Sequence, residues 1–79
     1  MINENLKKNW EYVQKNRNAL LFIYRNKYVL VYNEKVVGSF DTFANAANEG
    51  ITNYGVNSGF LVEWLTAKEP LNIVVSAKL

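Results

Sequence analysis

The sequence predicts an α+β fold, a small β-β-α-β-β domain with a mostly antiparallel four-stranded sheet and an N-terminal helix. Three observations lead there. Lys27-Tyr-Val-Leu-Val-Tyr32 and Lys35-Val-Val-Gly-Ser-Phe40 are short apolar runs joined by the polar pair Asn33-Glu34, the pattern of a hairpin. Asp41-Thr42 then opens a segment in which Phe43, Ala46, Ala47 and Tyr54 recur at helical spacing, with Ile51 beside them. Beyond it, residues 60–66 and 71–76 alternate in polarity as strands do, separated by Pro70.

Each element has a local reason. Asn3 suits the cap of a first helix, whose apolar stripe is Leu6, Trp10 and Val13 and whose end is expected near Asn16. Residues 19–24, Ala-Leu-Leu-Phe-Ile-Tyr, fit either a short helix capped by Asn18 or a strand, because a short apolar run lacks a diagnostic period. Tyr28, Leu30 and Tyr32 alternate with Val29 and Val31, so the first hairpin strand is apolar on both faces, as a central strand covered on two sides would be. This places the second strand outside the first, followed by the third and fourth. Val36, Gly38 and Phe40 are expected on one face of the returning strand, with Gly38 marking a bulge or a close approach. Gly50 and Gly55 are both candidate terminators of the following helix. The whole reads as a single domain over 1–79, with a helical segment at 1–25 and a ββαββ core at 27–76.

A chain of 79 residues has room for one modest core. Its 49% hydrophobic and 14% aromatic content favours close packing or self-association as the source of stability, because without Cys or His there are no disulfides and no Cys/His zinc site. No apolar run approaches the roughly 20 residues that span a bilayer, and Met-Ile-Asn-Glu-Asn does not resemble a signal peptide. The expectation is a soluble, cytoplasmic protein without a membrane partner. The net charge of +2 is uneven: residues 1–40 carry seven basic groups against Glu4, Glu11 and Glu34. Twelve asparagines form a compositional bias rather than a tract.

Lys27-Tyr28-Val29, Val36-Val37-Gly38-Ser39-Phe40-Asp41, the Ala-rich helix, Tyr54-Gly55 and Phe60-Leu61-Val62 together resemble the pattern of a family of short, uncharacterised prokaryotic domains (a domain of unknown function). The resemblance covers residues 27–66 and implies a fold without an activity. Asn26 stands where that family often has Gly, and Asn33-Glu34 where Asp-Gly is frequent, so the turns are expected to differ.

Little of the chain suits catalysis. Asp41-Thr42 superficially resembles the Asp-Thr-Gly of aspartic peptidases, but Phe43 replaces the Gly and a helix cap accounts for both residues. Serines 39, 58 and 76 have no His to activate them, and the four glycines form no phosphate-binding loop. Glu63 is a lone strand carboxylate of the kind that is usually solvated or ion-paired. The chain is therefore expected to be non-enzymatic, with no catalytic or metal-ligating residues, no cofactor and no small-molecule substrate. The favoured role is a protein-interaction or self-associating module, whose partner is another protein or a second copy, as in a homodimer. Trp10, Tyr12, Lys15, Arg17, Arg25, Tyr28 and Trp64 are the candidate contact residues. The alternative is a nucleic-acid-binding accessory protein, with Lys7, Lys8, Lys15, Arg17, Arg25 and Lys27 on phosphates and Trp10, Tyr12 or Tyr28 on bases.

Overall fold

Asn3 starts the first helix as its sequence suggests: its Oδ1 accepts hydrogen bonds from the Asn5 and Leu6 amides at 2.8 and 3.1 Å. The computed structural model describes residues 3–66, which form α1 (Glu4–Lys15), α2 (Arg17–Tyr24), β1 (Lys27–Val31), β2 (Val36–Phe40), α3 (Phe43–Tyr54) and β3 (Leu61–Leu65). Asn16 ends α1 and begins α2. Its backbone N–H and its Nδ2 both donate to the Tyr12 carbonyl, at 3.1 and 2.9 Å, which leaves its side chain no role as a cap for α2. Residues 19–24 are thus helical. The cap lies two residues before the expected Asn18, because the Asn16 carbonyl already accepts the Leu20 amide at 2.9 Å.

The described strands make one antiparallel sheet in the order β2-β1-β3. The expected four-stranded sheet is therefore corrected: among the described residues the sheet has three strands. Residues 71–76, read from the sequence as a fourth strand, lie outside the described residues. The position of β1 between β2 and β3 does follow the expectation for a strand apolar on both faces. Helices α1 and α2 cover one face and α3 the other, so both sides of three strands find apolar cover without a wider sheet.

Two cores result. Val13 and Leu20 meet Val29, Val31, Leu61 and Leu65 beneath α1 and α2, while Leu30, Ala46 and Val62 pack beneath α3. The hairpin turns through Asn33 and Glu34, both with left-handed φ (55° and 59°), and Tyr32 and Lys35 exchange backbone hydrogen bonds around them. Register then shifts by one residue: Val31 pairs with Val36 but Leu30 pairs with Gly38, leaving Val37 as the extra residue of a bulge. The bulge corrects the expected sharing of a face by Val36, Gly38 and Phe40. Val36 packs with the α1/α2 core, and Phe40 with the α3 core.

Thr42, rather than Asp41, caps α3, its Oγ1 accepting the Asn45 amide at 3.1 Å. The helix passes through Gly50 and stops at Gly55. Gly50 is buried against the Phe60 ring, whose carbons would lie 2.7 Å from an added Cβ. Glycine serves there for close approach and not for termination.

Candidate interaction surface

Register decides which aromatic side chains meet. Tyr28 in β1 lies opposite Trp64 in β3, and their rings stack with centroids 5.9 Å apart and planes 14° apart. Phe43, the first residue of α3, stands edge-on to Tyr28 at 6.4 Å. Trp64 is 44% exposed and Phe43 36%, while Tyr28 is half-buried between them. These three rings form an apolar surface at one end of the α3 side of the sheet. The neighbouring Lys27 pairs its ammonium with the Asp41 carboxylate and holds the Asp41 carboxyl below the usual carboxylate range. At the other end of the same side, Tyr32 and Tyr54 stack on each other with centroids 4.0 Å apart.

The remaining candidates scatter. Trp10 is 42% exposed on α1 and does not join the first core, so the expected stripe of Leu6, Trp10 and Val13 is displaced: the deeply buried positions are Asn9 and Val13. Tyr12 packs against that core. Lys15 is exposed at the end of α1, and Arg25 is exposed at the end of α2. Arg17 is spent on Glu63, its Nη1 lying 3.3 Å from Glu63 Oε2. This pair joins the start of α2 to β3. Glu63 is buried, and its Oε1 has no hydrogen-bond partner among the described residues. Burial raises its carboxyl above the ordinary value, with the hydrogen bond and charge of Arg17 pulling the other way. Of the seven candidate residues, then, Tyr28 and Trp64 come together, and Phe43 joins them.

Sequence reasoning missed the residue that ties these parts in place. Asn9 is 1% exposed. Its Nδ2 donates to the Gly59 carbonyl at 2.8 Å, and its Oδ1 accepts from the Glu34 amide at 2.8 Å. Asn3 and Asn5 act alongside it, donating to the carbonyls of Asn57 and Ser58, each at 3.2 Å. Three asparagines of one helix start thus bond three successive carbonyls of the segment that leads into β3. The spacing Asn-x-Asn-x-x-x-Asn over residues 3–9 was the available signal.

Chemically, the surface offers stacked apolar rings. Among the described residues no group of three or more His, Cys, Asp or Glu side chains is arranged to hold a metal ion. No helix of the described residues is long and apolar enough to cross a membrane. No protein-family model, curated protein or solved structure matches the chain, so the family resemblance of residues 27–66 rests on those residues alone.

Proposed function

We propose that this chain is a non-enzymatic protein-interaction module whose contact is the ring surface of Trp64, Tyr28 and Phe43. The observation that carries this reading is the exposure of Trp64 on a strand with β1 as its one strand partner among the described residues. Large aromatic side chains are the residues that dominate protein contacts when they stand in a cluster with little charge at its centre. A second copy of the chain and a different protein are both served by such a surface. The nucleic-acid alternative is less well supported, because its ingredients divide: Arg17 is paired with Glu63, Lys27 with Asp41, and Tyr28 faces the opposite side of the sheet from α1, which carries Trp10 and Tyr12.

Trp64→Thr, which keeps a strand-forming residue, is the direct test. Light scattering across a concentration series should show self-association that the variant loses, or an affinity capture with the full chain should recover a protein that the variant does not. A monomer at all concentrations, combined with captures that do not depend on Trp64, would refute the proposal.

A further inference from the structure

A second surface lies on the other side of the sheet and is independent of the first. Helix α2 turns Leu20, Leu21 and Tyr24 into the core, yet it also carries Phe22 at 89% exposure and Ile23 at 63%. Ala19 lies one turn before them on the same outward stripe, and it too is exposed. A helix that buries one apolar face and presents another needs something to meet the second.

Charge indicates what that is. From Tyr12 to Asn33 the chain carries Lys15, Arg17, Arg25 and Lys27 and no acidic residue at all. Arg17 and Lys27 are engaged by Glu63 and Asp41. Lys15 and Arg25, one before α2 and one at its end, are exposed and have no ion-pair partner among the described residues. Arg25 follows Phe22 by three positions, at the cap that ends the helix. The patch is therefore apolar at its centre and positive at both ends, and the nearest acidic residue in the chain is the exposed Glu11, one turn before Lys15 on α1.

Size separates the two occupants that such a patch could take. Phe22, Ile23 and Ala19 together present roughly 300 Å², taking ~200 Å² for an aromatic side chain. A stable protein contact needs about 800 Å² from each partner. A bilayer surface needs much less, because a few apolar side chains entering the headgroup boundary and a few cations outside it suffice for reversible attachment. We propose that the outer face of α2 docks on an anionic lipid surface, Phe22 and Ile23 entering the headgroup region while Lys15 and Arg25 meet lipid phosphates. This departs from the sequence-based expectation of no membrane partner. That expectation rested on the lack of a spanning segment, which a surface contact does not require.

The test is co-sedimentation of the full chain with vesicles of phosphatidylcholine alone and of equimolar phosphatidylcholine and phosphatidylglycerol, at low and high salt. Binding is expected to the anionic vesicles only, weakening as salt shortens the reach of the two cations. Phe22→Ser/Ile23→Ser should reduce it at least about tenfold, since each lost apolar group removes burial in the boundary. Lys15→Glu/Arg25→Glu should also weaken it and flatten its salt response. Circular dichroism melts confirm that each variant is folded, and both pairs alter exposed positions. Absence of binding to anionic vesicles at low salt overturns the proposal, as does binding that survives Phe22→Ser/Ile23→Ser. Self-association abolished by that same double variant, without vesicle binding, overturns it too and assigns the face to a second copy. The Trp64→Thr result has no bearing on these outcomes, so the two proposals fail separately.

Discussion

Replacing Asn9 with Ala should cost this domain a large part of its stability. The side chain makes two hydrogen bonds of 2.8 Å, to the Glu34 amide and the Gly59 carbonyl, from a position that is 1% exposed. At ~1 kcal/mol for each bond the direct loss is ~2 kcal/mol, and leaving the buried Gly59 carbonyl unpaired adds ~1 kcal/mol. The total of ~3 kcal/mol compares with a whole-domain stability on the order of 4–12 kcal/mol for 79 residues. At 4–8 °C for each kcal/mol in a domain of this size, melting should fall by roughly 12–24 °C. Urea titration followed by circular dichroism measures the loss, with an unchanged slope showing that the denatured state is comparable. Asn9→Leu separates hydrogen bonding from burial, because it restores apolar volume and no polar partner. Should Asn9→Leu match the wild type, or Asn9→Ala cost under about 0.5 kcal/mol, the assignment of Asn9 as a polar tie would be wrong.

Two further outcomes follow from single side chains. Gly59 has φ 89°, and a Cβ there would lie 2.6 Å from Asn3 Oδ1 and from Asn5 Cβ; Gly59→Ala should therefore lower the urea midpoint by the equivalent of about 2 kcal/mol or more, and an unchanged midpoint would show that the contact relaxes freely. For Glu63, burial raises the folded carboxyl above its ordinary value of 4.5, so the folded state binds this proton more tightly than the unfolded chain. Its contribution is complete below that ordinary value and is lost as pH rises through the higher folded one. Glu63→Gln should consequently be more stable than the wild type at neutral pH, with the gap closing as pH falls toward 4.5. Asp41, whose carboxyl is shifted the opposite way by Lys27, is common to both proteins and drops out of the difference. A gap that stays constant from neutral to mildly acidic pH, or a less stable variant at neutral pH, would contradict the reasoning.

What could be read from the sequence was local. Asn3 as a cap, the Asn33-Glu34 turn, a cap at Asp41 or Thr42 and the strand around Trp64 each depend on a few neighbouring residues. Residues 19–24 could not be assigned, because Phe22 and Ile23 add apolar residues on the outer face and erase the periodicity that Leu20 and Tyr24 would otherwise show. Strict alternation puts Val36 on the wrong face because it does not register a bulge. Asn9 is not legible for a related reason: a polar residue inside a helix pattern reads as solvent-facing, and only its distant partners Glu34 and Gly59 explain its burial. At the candidate surface, Tyr28 and Trp64 were visible as residues but not as a pair, since pairing depends on register. Phe43 was hidden by its helical spacing with Ala46 and Ala47, which suggests core.

Six of the twelve asparagines have a structural role of this kind. Asn3 caps α1 and, with Asn5 and Asn9, bonds the carbonyls of residues 57–59; Asn16 closes α1; Asn26 and Asn33 take left-handed φ of 63° and 55°. Asparagine suits all three tasks because its short amide both donates and accepts, and because it tolerates the left-handed region better than other residues with a Cβ. Asn26 shows this most simply: its backbone is left-handed with a side chain attached. Glu34 has no such tolerance at φ 59°, and the Asn9 Oδ1 bond to its amide supplies an interaction that holds it there. In a chain without cysteine, these short polar ties take the place of covalent staples, linking α1 to the hairpin turn and to the segment entering β3. Because β3 carries Trp64, the same ties that stabilise the fold also fix the register on which the exposed aromatic surface depends.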